Sequence, residues 1–121
     1  MLHAANKITG ATGENVYNGY VPQDGDTSAY KDGLDGCLRM GGGSVTGTLT
    51  LTLSEAVKGV KINAHAWTAK SSFTDTISVN GSEASKMTLS YANYTFSLTS
   101  TNTVTITTTN RGLIQSIELF K

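Results

Sequence analysis

The stretch GTLTLTLSEAVKGVKINAHAW, residues 47–67, decides the fold class of this chain. In its first half, Leu49, Leu51 and Leu53 alternate with threonines. In its second half, apolar residues alternate with the larger side chains of Lys61, Asn63, His65 and Trp67. A period of two is typical of β-strands that have one buried face and one solvent-facing side. The alternation predicts that these four larger side chains share the solvent-facing side.

Strand signals continue further along the chain. TISV runs into Asn80-Gly81, the dipeptide most typical of a tight hairpin, because both positions accept a positive φ. YTFSL, NTVTITTT and GLIQSIELF alternate in the same way, and the last of them predicts Leu113, Ile117 and Leu119 on one face. Strands spaced by about ten residues, with turns between them, indicate a single antiparallel β-sandwich of jelly-roll type.

The chain has the length of one domain. Its 121 residues are enough for a single hydrophobic core. We expect one β-sandwich domain over residues 1–121, with an irregular N-terminal part at 1–35 and a strand-rich core at 36–121. The segment CLRM, near the start of that core, places Leu38 and Met40 inward and Arg39 outward by the same alternation.

Composition argues against several classes of function. The formal net charge is zero and charged residues make up 15% of the chain, so no bulk electrostatic attraction to nucleic acid is expected. No apolar run approaches the roughly 18 residues of a membrane span. A single cysteine, Cys37, excludes an internal disulfide. The first residues lack the pattern of a signal peptide, so a domain working outside the cell would take its export signal from a longer parent chain or be carried on a particle.

Sequence signatures of catalysis are also missing. No Gly-x-Ser-x-Gly motif occurs, and the glutamates are scattered without a pair fixed in geometry. The run GGGS, residues 41–44, lacks the lysine of a phosphate-binding loop. We therefore predict a protein that is not an enzyme.

The acidic stretch DGDTSAYKDGLDG, residues 24–36, matches the spacing of oxygen ligands in a calcium loop. The matching positions are those of Asp24, Asp26, Ser28, the Tyr30 carbonyl, Asp32 and Asp35. Ala29 stands where such a loop needs glycine, and Asp-Gly pairs are ordinary turn formers. The sequence therefore favours solvated turns without a cofactor, and the alternatives are a Ca²⁺ site held by the four aspartates or a loop that contacts the ligand.

The solvent-facing side of KINAHAW is the best candidate for ligand binding. Trp67 is the only tryptophan, and alternation places it beside His65, Asn63 and Lys61. A sugar ring has apolar C–H faces surrounded by hydroxyls, so an exposed aromatic ring with polar donors beside it suits a sugar. The alternative is that Trp67 packs at the edge of the sandwich, as large aromatic residues often do.

Three further residues could extend such a site. Arg39 or Arg111 could bind the carboxylate of a uronic acid in bidentate fashion, and the alternative is a solvated strand edge. Tyr30 lies in the irregular part, where loops could form the rim of a binding site. Packing within a turn is the alternative for Tyr30.

The segments LRMGGGSVTGTLTLTL, VKGVKINAHAW, TISVNGS and IQSIELF carry a family likeness. Over about residues 36–121 the chain resembles galactose-binding-like jelly rolls and carbohydrate-binding modules appended to secreted bacterial proteins. Gln115 stands where the last strand of such modules often has an aspartate that helps to hold a structural calcium.

The likeness implies a non-catalytic accessory domain that tethers a larger secreted or cell-surface protein to polysaccharide or glycan. We therefore expect an extracellular or surface location, a glycan partner and no nucleic acid. The alternative function is structural: a β-sandwich subunit of a surface assembly or phage particle, which would bind protein rather than sugar.

Overall fold

The structure, a computed structural model, describes residues 2–3, 8–20, 37–67 and 75–121. Strands supply the regular structure of these ranges, which contain no helix and therefore no helix that could cross a membrane. The nine strands are β1 (Leu2–His3), β2 (Ile8–Glu14), β3 (Val16–Tyr20), β4 (Cys37–Met40), β5 (Gly47–Ala66), β6 (Thr76–Val79), β7 (Ser85–Lys86), β8 (Ala92–Thr109) and β9 (Gly112–Phe120). The predicted all-β class is confirmed.

The strands form one antiparallel sheet that curls into a half-barrel. The order across the sheet is β3-β4-β9-β5-β8-β6-β7, with β2 also paired to β5 and β1 to β9. The sheet bends along its longest strand, β5. It pairs with β8 along one edge, and along the other edge with β2 in its first half and β9 in its second half. Register shifts between Thr52 and Gly59 separate the two halves, and such bulges bend a strand.

The core follows the alternation expected from the sequence. Alternate residues in each half of β5 are buried in one cluster with Phe96, Val104 and Ile106 of β8, and β4, β6 and β9 contribute to it from both sides. The side chains with the least exposure in this cluster include Met40, Val57, Val60, Ile62, Ile77, Val79, Val104, Ile106 and Leu119. We call the opposite side of the sheet the outer face.

Strand β9 contains the main departure from the predicted pattern. Ser116 pairs with Asn63, but the next residue of β5, Ala64, pairs with Ile114, so Gln115 is an extra residue on β9. A bulge of this kind shifts the alternation of the strand by one position. The prediction that Leu113 shares a face with Ile117 and Leu119 is therefore wrong, because Leu113 lies on the outer face, opposite His65.

Residues 8–20, which belong to the part expected to be irregular, form two strands. Strands β2 and β3 occupy most of residues 8–20 and are joined at Asn15, which has a φ of 56°. The carbonyl of Asn15 accepts a hydrogen bond from the Gly41 N–H at 2.8 Å. Gly41 itself has a φ of 80°, and a Cβ built there would lie 1.7 Å from the Asn110 carbonyl oxygen. Only glycine fits this junction.

Candidate functional site

One end of the outer face carries a row of side chains that crosses four strands and ends at Tyr91, just before β8. Antiparallel pairing aligns Tyr17 of β3 with Arg39 of β4, Arg39 with Leu113 of β9, and Leu113 with His65 of β5. The register of β5 with β8 then brings Tyr91, just before β8, beside His65. Residues directly opposite one another on neighbouring strands point to the same side of a sheet. The row therefore forms one surface.

The middle of this row is a second, small apolar cluster. Leu113 is completely buried although it lies on the outer face, and it packs against Trp67 and Tyr91. The His65 and Tyr91 rings meet edge to face, with centroids 4.9 Å apart. Such contacts between aromatic rings stabilise a cluster beyond the apolar area that they bury. This cluster holds the surrounding side chains in place.

His65 belongs to the base of the cluster. The sequence predicted it on the solvent-facing side of β5, and it does lie on the outer face, but it is only 3% exposed. The exposure expected for His65 is therefore wrong, because Leu113 and Tyr91 flank the imidazole. Its Nδ1 lies 2.6 Å from the backbone oxygen of Ala66. The imidazole therefore offers little surface to a ligand.

Burial also sets the protonation of His65. Desolvation lowers the pKa of the imidazole, and hydrogen bonds to the backbone of Ala66 and Leu89 oppose this in part. A buried ring that is costly to charge stays neutral at pH 7. His65 is therefore a neutral part of the cluster under ordinary conditions.

Trp67 stands next to His65 on the same face, half-buried. The Cζ atom of Arg111 lies 4.2 Å from the centroid of the indole, and the Trp67 backbone N–H donates to the Arg111 carbonyl at 3.3 Å. A guanidinium stacked on an indole is held by electrostatic attraction to the ring face. Trp67 therefore presents an indole and an arginine together, rather than a bare ring.

A similar pair lies on β3 and β4. The Cζ atom of Arg39 is 4.1 Å from the centroid of Tyr17, and Tyr17 is 47% exposed. Tyr17 is thus the most exposed aromatic residue of the row. Exposed tyrosines provide a large contact area at little conformational cost, since the ring has only two rotatable bonds.

Polar side chains extend the same face along β5. Lys61 forms an ion pair with Glu118 of β9 at 2.7 Å, and Asn63 donates from its side-chain amide to Asn93 of β8 at 2.9 Å. Both pairs are cross-strand neighbours, and both remain open to solvent. We use the name outer strip for the row, for Trp67 and Arg111, and for these two polar pairs.

The structure thus brings together most of the residues predicted from the sequence. Trp67, Asn63, Lys61 and Arg39 lie on the outer strip, and His65 lies beneath it. Tyr30 and the acidic loop with Asp24, Asp26, Asp32 and Asp35 lie outside the described residues. Within the described ranges, no group of three or more His, Cys, Asp or Glu side chains has the arrangement of a metal site.

Sequence reasoning missed three contributors to the strip. Tyr17 lies in the N-terminal part that was expected to be irregular, Tyr91 was assigned to no strand, and Leu113 was expected on the same face as Ile117 and Leu119. The alternation within NVYNGY could have placed Tyr17 on a strand face. The position of Leu113 depends on the bulge at Gln115, and that bulge has no clear signal in the sequence.

A comparison of the sequence with protein-family models gives no match, and a comparison with curated proteins gives none either. Function therefore has to be argued from the site itself.

Proposed function

We propose that this protein is a non-catalytic glycan-binding module and that the outer strip contacts the glycan. The observation that carries the proposal is the pairing of two aromatic rings with two arginines on one sheet face, Tyr17 with Arg39 and Trp67 with Arg111. The rings offer apolar surface to the C–H face of a sugar. The guanidinium groups beside them offer planar donors to its hydroxyls.

The polar part of the strip supports the same function. The amides of Asn63 and Asn93 supply both hydrogen-bond donors and acceptors, Lys61 adds a charged donor, and Glu118 adds a charged acceptor. A sugar hydroxyl both donates and accepts hydrogen bonds, so a mixed set of this kind suits it. Because the strip extends along β5 and across several strands, it suits consecutive sugar units of a polysaccharide rather than one small molecule.

The wider picture expected from the sequence belongs to the same proposal. It comprises the likeness to carbohydrate-binding modules, the jelly-roll arrangement that the likeness implies, and a role in tethering a larger secreted or surface protein. The curled antiparallel sheet supports the proposal as an all-β scaffold on which the strip is built. Sites built on strands hold their side chains more accurately than sites on loops.

Retention on a panel of immobilised polysaccharides tests the proposal. Wild-type protein should be retained by at least one of them, and Tyr17→Ala should lower the affinity about tenfold or more, since truncating a central aromatic residue typically costs over 1 kcal/mol. Val45→Ala is the matched control, because Val45 is 45% exposed and lies outside the strip. It should bind as wild type does.

A melting curve of each variant separates binding from folding. Tyr17→Ala should unfold near the wild-type temperature, since half-exposed side chains contribute little to stability. If the wild type is retained by no polysaccharide of the panel, the proposal fails and the structural role in an assembly is favoured. Retention of Tyr17→Ala and Trp67→Ala at wild-type affinity would also contradict it.

A further inference from the structure

Arg111 is held on the outer strip by two separate contacts with Trp67. Its guanidinium stacks on Trp67, and its backbone carbonyl accepts the Trp67 N–H, so both ends of the residue are fixed. Its Nε is buried and has no hydrogen-bond partner among the described residues. Stacking uses only the flat face of a guanidinium and leaves the N–H groups at its edge free to donate.

The charge around Arg111 is not balanced within the strip. Glu118 is the only carboxylate of the strip, and it is already paired with Lys61 at 2.7 Å. Arg111 forms no ion pair with any residue that the structure describes. A fixed positive charge beside a partly buried aromatic ring attracts an anion, and it does so more strongly where water is partly excluded.

From these contacts we infer that Arg111 and Trp67 form a subsite for the carboxylate of a uronic acid, so that the ligand of the outer strip is an acidic, carboxylate-bearing polysaccharide. The edge of the guanidinium matches a carboxylate in bidentate geometry. The indole beside it covers the apolar side of the same sugar ring. This inference rests on the proposed glycan-binding function and names the class of glycan.

Two forms of one polymer isolate the contribution of the carboxylate. Polygalacturonate and its highly methyl-esterified form share a backbone, and they differ in whether the carboxylate is free. We expect the protein to bind polygalacturonate at least about tenfold more tightly than the ester, as one charge-assisted bidentate contact provides. Raising the salt concentration should weaken binding to polygalacturonate and change binding to the ester little, because salt screens charge.

Three variants assign the effect to Arg111. Arg111→Gln should lose about tenfold or more in affinity for polygalacturonate. Arg111→Lys keeps the charge and the aliphatic stem but lacks the planar edge of the guanidinium, so it should recover only part of the affinity lost in Arg111→Gln. This variant also serves as a second substitution at the same position if Arg111→Gln fails to fold. Lys58→Gln removes the same charge from an exposed residue outside the strip and should bind as wild type does.

The possible failures are distinct. Equal retention of polygalacturonate and its ester overturns the inference and leaves glycan binding intact. Wild-type affinity of Arg111→Gln, or binding to dextran sulfate with none to polygalacturonate, overturns it in the same way. If no polysaccharide of any class is retained, the proposed function and the inference fail together.

Discussion

Acidification tests whether the cluster beneath the outer strip depends on a neutral His65. The imidazole is 3% exposed, and its burial lowers its pKa from the ordinary value of 6.5. In the unfolded chain His65 takes up a proton as the pH falls through that ordinary value, whereas in the folded protein it resists protonation. The unfolded state then binds more protons than the folded state, so the free energy of unfolding falls as the pH falls.

The size of the effect has an upper limit. For one group with an unfolded pKa of 6.5, the loss of stability between pH 7.5 and pH 5.5 reaches at most about 1.4 kcal/mol, when the folded pKa lies well below this range. Below the folded pKa the loss stops growing, since both states are then protonated. For a domain of about 120 residues, a loss of 1 kcal/mol lowers the melting temperature by about 4 °C.

Urea unfolding at pH 7.5, 6.5 and 5.5 measures this loss directly. His65→Gln cannot titrate, so the difference between wild type and variant isolates the histidine from the carboxylates that also respond to acid. His3→Gln removes the only other histidine, so its pH dependence shows how much of the wild-type loss belongs to that residue instead. The reasoning is refuted if His65→Gln and wild type lose the same stability between pH 7.5 and 5.5.

Two further predictions concern the backbone. Gly41→Ala should lower the free energy of unfolding by at least about 2 kcal/mol in urea titrations, because the Gly41 φ is 80° and the new Cβ would meet the Asn110 carbonyl. Gly43→Ala is the control and should be nearly neutral, because a Cβ at Gly43 has nothing within 4 Å. Equal losses of stability in the two variants would contradict the geometry. Deletion of Gln115 removes the bulge but keeps every cross-strand partner of β9, so that variant should still unfold cooperatively with a loss in the usual range of about 0.5–3 kcal/mol. Deletion of Thr105 shifts the register of β8 by one residue, so the side chains on one side of the deletion would point to the wrong face of the sheet, and we expect a large loss of stability. Cooperative unfolding of that variant at wild-type stability would contradict the reasoning.

The sequence was sufficient for the parts of the fold that depend on local alternation. Leu49, Leu51 and Leu53 are buried as predicted, and the Asn80-Gly81 turn has the positive φ values that this dipeptide favours. In both cases the conformation depends on residues that are close together along the chain. The same is true of Arg39, which points to the outer face as alternation required.

The sequence was not sufficient for features that depend on which strands are neighbours. Leu113 was assigned to the main core because its alternation was continued through Gln115 without a bulge. His65 was expected to be exposed because nothing in its own strand shows that Leu113 and Tyr91 flank it. The Trp67–Arg111 pair joins residues 44 positions apart, and only the register of β5 and β9 brings them together.

The place of β9 in the sheet has a consequence for the synthesis of the chain. Of the strands that the structure describes, β9 comes last in sequence, yet it fills the space between β4 and β5 and also pairs with β1. Until Gly112–Phe120 has left the ribosome, the second half of β5 has no partner along that edge. An open strand edge can pair with another chain. Nascent chains of this protein are therefore exposed to aggregation until β9 has been synthesised, and a chain cut before Gly112 keeps that hazard permanently.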